Sequence, residues 1–192
     1  MIAPQMLTLA ALEAGLDAIR QSPRAAGTLD LIVRRPAVEA RERLDAAELD
    51  SAVGMVGDNW ATRGSSRTSD GSAHPDMQLT LMNSRAIALV AQERARWPLA
   101  GDQLYVDLDL SVENLPPGTR LAIGAAVLEI TPEPHMGCKK FAARFGVEAL
   151  QFVNSSMGQA LRLRGVNTRV VQGGPIRVGD AVQKLPAQKL PE

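Results

Sequence analysis

Apolar residues along this chain recur at two periods. Leu9, Leu12, Leu16 and Ile19 fall at helical spacing, which predicts an amphipathic helix over residues 6–21 ended by Ser22-Pro23. "TLDLIVRRP" follows with Leu29, Leu31 and Val33 on one face of a strand. "RLDAAELDSAVGMVGDNW" predicts a short helix capped by Asp45 and then a glycine-rich turn at Gly54 to Asp58. Residues 62–75, "TRGSSRTSDGSAHP", are small and polar and are expected to form a mobile surface loop, a candidate lid. "MQLTLMN" reads as a strand leading into a helix capped by Asn83 and running from Ser84 to about Trp97, before Pro98.

The clearest strand is "QLYVDLDLSVENL". Leu104, Val106, Leu108, Leu110 and Val112 alternate with Tyr105, Asp107, Asp109 and Ser111, the period of a sheet with one buried face. "PPGT" turns the chain into "RLAIGAAVLEITP", read as one strand with Gly124 as a bulge or close-approach point. Helical segments "KKFAARF" and "VEALQFVN" follow Cys138, and "VNTRVVQGGPIRVGDAVQKL" reads as two strands joined at Gly173-Gly174-Pro175. Several non-local strands with a few helices indicate an α+β domain that is mostly β and barrel-like, with peripheral helices, rather than a doubly wound sheet. The expected organisation is an N-terminal helix in residues 1–25 packed on a domain of residues 26–186, with 187–192 a frayed tail.

Composition narrows the function. At 192 residues and 45% apolar, the chain can bury a core as a single domain. Its net charge is zero and its aromatics only 3%, which argues against nucleic acid as a partner. No apolar run approaches the length of a membrane span, so no membrane association is expected. Glu13 and Asp17 interrupt the apolar N-terminal stretch, making it a poor signal peptide. A single cysteine forms no internal disulfide, which fits the cytoplasm.

That cysteine sits in "TPEPHMGCKKFAARFG". A thiol reacts as its thiolate, and a helix start together with Lys139 and Lys140 favours the anion. The alternative is a small buried residue that happens to contain sulfur. His135, three residues before Cys138, is either a ligand-contacting group or general base, or a turn histidine hydrogen-bonded locally. Structural zinc is not expected, because the only other histidine is His74 and there is no second cysteine. Between Met136 and Val170 the chain carries Lys139, Lys140, Arg144, Arg162, Arg164 and Arg169 against one acid, Glu148. This concentration of charge is suited to a small anionic ligand, and Arg169, interrupting an apolar strand, is the residue expected to enter a pocket. Neither a P-loop, a dinucleotide-binding glycine motif nor a nucleophile elbow is present.

Six segments in order resemble the MOSC domain, the module at the C-terminus of molybdenum cofactor sulfurases and of stand-alone bacterial proteins. They are "GMVGDNW" at 54–60, "QLTLMN" at 78–83, "VENL" at 112–115, "LAIGAAVLEIT" at 121–131, Cys138 after a proline-containing turn, and "RGVNTRVVQGGPIRVGDAV" at 164–182. The resemblance runs from about residue 30 to residue 185 and implies a β-rich barrel with surrounding helices. It also implies that Cys138 carries sulfur as a persulfide or ligates molybdenum in a pterin cofactor, with Asn114, His135, Lys139 and Arg169 as candidate cofactor contacts. Val112 stands where the family usually has glycine, and "PHMGC" replaces its usual approach to the cysteine, as in a stand-alone subfamily. Pyridoxal phosphate is not expected on this chain, which lacks the sulfurases' desulfurase domain. Sulfur or electrons would come from a partner, a cysteine desulfurase or an electron-donor protein. The rival readings are a binding module for a small anionic or sulfur-bearing ligand and a cysteine hydrolase using Cys138 and His135.

Overall fold

A computed structural model describes residues 6–186. The expected tail at 187–192 lies outside the described residues. Seven strands close into a mixed barrel: β1 (Ala26–Arg34), β5 (Leu79–Asn83), β6 (Leu104–Asp107), β7 (Arg120–Ile123), β8 (Ala126–Ile130), β9 (Val166–Gln172) and β11 (Ala181–Lys184). Around the barrel the order is β11-β7-β8-β9-β5-β6-β1 and back to β11; β5 and β6 run parallel and the other neighbours antiparallel. β2 (Glu42–Leu44) extends β1, while β3 (Ala46–Asp50), β4 (Gly54–Met55) and β10 (Gly174–Arg177) form a small second sheet. That sheet sends Leu49, Met55 and Ile176 into the barrel core, whose interior is filled with apolar side chains. The barrel is solid, so any ligand site must lie outside it.

A second core lies on the outer face of β1, β5 and β6. There Leu31, Val33, Met82 and Tyr105 pack against α1 (Leu9–Ala14), α2 (Leu16–Arg20), α4 (Ser84–Ala91), α5 (Lys139–Phe145) and α6 (Val147–Asn154). A short helix α3 (Trp60–Arg63) follows the glycine turn, and α7 (Ser156–Ala160) follows α6. The helix over 6–21 is therefore two short helices divided at Gly15, where a side chain would strike Leu89.

Several expectations change for one reason: tertiary pairing overrides weak local signals. Residues 42–55 are strands rather than a helix capped by Asp45, because Ala46–Asp50 pairs with both β10 and β4. "RLAIGAAVLEITP" is a hairpin, β7 and β8, turning at Gly124-Ala125, and the chain beyond Val166 forms three strands rather than two. The strand at 104–112 stops at Asp107, and Asp109 starts a turn by accepting from the Ser111 N–H at 2.9 Å. Tyr105 is fully buried because the outer face of β6 is covered by helices instead of water. Asn83 caps α4 as expected, accepting from the Arg85 and Ala86 N–H groups, but the helix ends at Ala91 and a 3-10 segment, Arg94–Ala100, carries the chain past Pro98. Residues 64–74 form no helix or strand.

Candidate functional site

The site occupies the seam between the two cores, where the C-terminal end of β1, the link into β6, the loop before α5 and the start of β9 converge. The loop is built first. Asn167, fully buried on β9, donates from Nδ2 to the carbonyls of Glu133 and Pro134 at 3.1 and 3.3 Å. Asn154, ending α6, clamps Gly137 from both sides: the Gly137 N–H donates to Oδ1 at 2.8 Å and Nδ2 donates to the Gly137 carbonyl at 3.1 Å. A Cβ on Gly137 would meet Leu150 Cδ1 at 2.7 Å and Val153 Cγ2 at 2.9 Å, so a larger residue here would have to push side chains of α6 aside. Cys138 comes out of this clamp in extended conformation as the N-cap of α5 and is exposed. Phe141 and Phe145, with ring centroids 4.9 Å apart, hold α5 in the second core. Burial of each contributes roughly 1.5–3 kcal/mol.

Cys138 opens onto a cavity of about 220 Å³ that also takes in His135, Arg35, Arg41, Arg63 and Arg164. An annex of about 120 Å³ shares Arg35, Arg41, Arg63 and Lys140 with it. The floor is ionic. Asp102, with no exposed side-chain surface, accepts from Arg164 Nη1 at 2.6 Å and His135 Nε2 at 2.8 Å. Burial pushes the Asp102 carboxyl up, but the positive charge of Arg164 and the hydrogen bonds outweigh it, and the group is held well below the usual carboxylate range. His135 goes the other way: burial and the neighbouring Arg164 lower its pKa despite Asp102. It is therefore a neutral imidazole whose Nε2–H donates to Asp102, leaving Nδ1 as an acceptor.

Arg35, at the end of β1, is fixed by the glycine turn. Asp58 accepts from its backbone N–H at 2.9 Å and from Nε and Nη2 at 3.0 Å each, while Nη1 donates to the Gly101 carbonyl at 3.0 Å. Glu39 bridges Lys140 at 3.0 Å and Arg144 at 2.5 Å. Among the described residues, Arg41 and Arg63 have no carboxylate partner. Arg41 is lowered by burial and by the charges of Arg144 and Arg35, and Arg63, at the rim, by burial and by Arg35. Five buried side-chain polar atoms among the described residues lack a hydrogen-bond partner. Four of these, Arg41 Nε, Asn59 Oδ1, Arg164 Nε and Asn167 Oδ1, belong to residues lining the cavity or its annex. Folded proteins leave few such atoms, and their concentration in one place marks a site finished by something other than the chain.

A family model of the MOSC domain matches residues 68–183. The chain belongs to that family. MOSC domains are associated with molybdenum-cofactor binding or sulfurase-like function. Among curated proteins none matches in sequence. The fold is similar to that of YuaD from Bacillus subtilis, at 15% identity and a TM-score of 0.62 over 83% of this chain and 95% of that one. It is also similar to YiiM from Escherichia coli, at 17% identity and 0.54 over 83% and 70%, and to YiiM from Geobacillus stearothermophilus, at 12% and 0.51 over 85% and 74%. The MOSC match takes in Asp102, His135, Cys138 and Arg164, whereas Arg35, Arg41 and Arg63 lie ahead of it.

Within this MOSC domain the residues singled out from sequence part company. Cys138 and His135 line one cavity, together with Lys140. Lys139 is exposed and outside the lining. Arg169 does not enter a pocket: it is 47% exposed and paired to Glu129 at 2.6 Å and Asp76 at 3.3 Å, because it lies on β9 beyond the cover of the 131–137 loop. Asn114 is buried elsewhere, donating to the Arg24 and Asp109 carbonyls at 3.0 and 2.7 Å, so its amide N–H groups are spent on tying a turn. His74 accepts from the Asp76 N–H at 3.2 Å, and among the described residues no group of three His, Cys, Asp or Glu could hold a metal. No hydrogen bond joins Cys138 to His135, whose Nε2 is held by Asp102 instead. Sequence reasoning missed Arg35, Arg41, Arg63, Asp102 and Asn154. "RRP" at a strand end and an aspartate directly after Gly101 were the available signals.

Proposed function

We propose that this MOSC domain binds a phosphate-bearing molybdenum–pterin cofactor in the cationic cavity, with Cys138 contributing the thiolate ligand. The observation that supports this best is the surplus of positive charge. Six cations (Arg35, Arg41, Arg63, Lys140, Arg144, Arg164) face three carboxylates (Glu39, Asp58, Asp102), in a chain with no net charge. Gathering unpaired arginines costs folding energy through desolvation and mutual repulsion, and an anionic ligand offsets that cost. Guanidinium forks suit phosphate oxygens, and a soft thiolate suits molybdenum. The metal would take one ligand from the chain and bring its others with the pterin. When bound, it would supply two-electron redox chemistry that no side chain here offers. The chain's own work is narrower: Arg41 and Arg63 neutralise the ligand's charge, Asn154 holds the thiol in place through Gly137, and His135, locked by Asp102, braces the wall of the cavity.

The test is purification under anaerobic conditions, measuring molybdenum, pterin fluorescence and the intact mass of Cys138-containing protein. Molybdenum and pterin in stoichiometric amount, lost in Cys138→Ser and Arg41→Met, is the expected result. A persulfide mass without molybdenum would move the assignment to sulfur carriage, supplied by a desulfurase. Absence of all three, with ligand binding unchanged in Cys138→Ser, overturns the reading.

A further inference from the structure

A larger cavity, about 330 Å³, lies on the other side of the loop from Cys138. His135, Arg164 and Asn167 line both cavities and so form the wall between them. The character of the second cavity differs from the first. Its sides are apolar: Val153 and Val166 are buried, while Val112 and Met136, 48% and 39% exposed, stand at the rim. Apolar side chains left open beside a concavity favour a ligand with an apolar body.

Three charged side chains, Glu133, Arg162 and Arg164, share this lining, and Arg162 alone of them has no ion-pair partner among the described residues. Arg162 is half-buried, at a positive φ of 49° that a non-glycine residue adopts only when its surroundings impose it. Its Nη1 donates to the Leu115 carbonyl at 2.6 Å and, at 3.5 Å, to the Leu110 carbonyl, which orients the guanidinium, and it has no carboxylate partner among the described residues. Glu133 also lines this cavity but is engaged by Arg67 at 2.8 Å. Burial lowers the Arg162 pKa, as expected for a cation without a counter-ion. At the wall, His135 is neutral, with Nδ1 making no hydrogen bond to the protein, so it can accept from a ligand N–H or O–H.

We propose that this cavity is the compartment for an organic monoanion, a small molecule with an apolar body and one carboxylate that meets Arg162, its other end lying against the His135 wall. A carboxylate fits better than a phosphate because Arg162 Nη1 is already engaged by the Leu115 and Leu110 carbonyls and a dianion would crowd Glu133. The two cavities then take different anions: one is suited to a polyanionic cofactor, the other to an organic monoanion bound beside it. The pairing with a cofactor rests on the function proposed above; the binding of the monoanion does not.

Benzoate, benzamide and inorganic phosphate are suitable probes, read by NMR titration of the isotopically labelled full-length protein without cofactor. Benzoate is expected to bind saturably with shifts at Val153, Val166 and Arg162, and to bind at least about five-fold more tightly than benzamide. Arg162→Met should remove that preference. Because Arg162 also holds the Leu115 carbonyl, Ala160→Trp provides a second variant, filling the cavity from its exposed edge and abolishing benzoate binding without touching the guanidinium. Arg41→Met should leave benzoate affinity unchanged, and phosphate should not displace benzoate. No saturable benzoate shift, equal binding of benzamide, undiminished binding in Ala160→Trp, or displacement by phosphate would each overturn the proposal. Benzoate binding in a protein that never carries molybdenum would preserve the compartment while the cofactor reading fails.

Discussion

At the starts of β5 and β6, glutamine side chains complete hydrogen bonds that the strand ladders leave open, whereas other buried polar atoms along the cleft beside Cys138 are left without partners. Gln103 Oε1 accepts from both the N–H and the hydroxyl of Thr80, at 2.9 and 2.8 Å, and its Nε2 donates to the Gln78 carbonyl at 3.2 Å. Gln78 in turn accepts from the Val170 N–H at 2.7 Å and donates to the Ser51 carbonyl at 2.8 Å. In the cleft, Arg41, Asn59, Arg164 and Asn167 each keep an unused donor or acceptor. Of the five unpartnered atoms among the described residues four gather at the cleft, Ser84 Oγ being the fifth, and a ligand there would complete them. Buried polar groups are not by themselves a sign of function; unsatisfied ones gathered in one cavity are.

The contrast can be tested most severely at Asp102, the buried carboxylate that holds both Arg164 and His135 in the floor of the cleft. Asp102→Ala leaves Arg164 buried with no counter-charge, and the expected loss is about 3–5 kcal/mol of unfolding free energy. Urea unfolding would show it, and a loss under about 1 kcal/mol would mean the ionic floor is not what holds the seam. Leu128→Ala, in the barrel core, should cost about 2–5 kcal/mol while leaving phosphate affinity where it was. If phosphate binding weakened in step with stability, the barrel and the cleft would not be separable regions.

Arg41→Met should behave in the opposite way. It removes a half-buried cation that has no carboxylate partner and is repelled by Arg144 and Arg35. Stability is expected to be unchanged or to rise by about 1 kcal/mol, while phosphate affinity, measured by calorimetry, falls about ten- to a hundred-fold. A destabilised variant with intact phosphate binding would place Arg41 among the structural groups and leave the cleft no more ligand-ready than the barrel.

The barrel was legible in the sequence because its signals are local. Alternation at Leu104 and Val106, the Asn83 cap and the apolar run at 126–130 each report on their own segment. The MOSC-like segments were legible as well, and they placed Cys138 on a turn before a helix. The cleft was only half legible, because its charge comes from residues far apart in the chain. Arg35 reaches it only because β1 closes against β6 and β11, and because Asp58, after a glycine turn, clamps its guanidinium. Periodicity cannot say which of several arginines faces a cavity. Arg164 and Arg169 lie five residues apart in one basic stretch, yet one is locked under Phe141, its guanidinium carbon 5.1 Å from the ring centre, and the other pairs with Glu129 in the open. The short helix expected after its Asp45 cap failed for a related reason, since Ala46–Asp50 pairs along most of its length with β10, more than a hundred residues later.

The smallest expected effect concerns the proton on His135. Its folded-state pKa lies below the ordinary value of 6.5, first because the ring is buried and then because Arg164 and Arg35 face it, with Asp102 opposing. The unfolded chain therefore takes up a proton at a pH where the folded one does not, and stability falls as the pH drops below about 6.5, levelling off once the folded ring is protonated too. Asp102 adds a separate loss at lower pH, below the ordinary carboxylate value of 3.8, since its folded pKa is depressed. His135→Gln keeps a donor for Asp102 and removes the titration. Between about pH 7 and pH 5 the wild-type unfolding free energy should decline more steeply than that of the variant, by no more than roughly 1.4 kcal/mol per pH unit. Parallel slopes would show that the ring is not held neutral in the fold, and would return the wall between the two cavities to the ordinary, fully satisfied chemistry of the barrel.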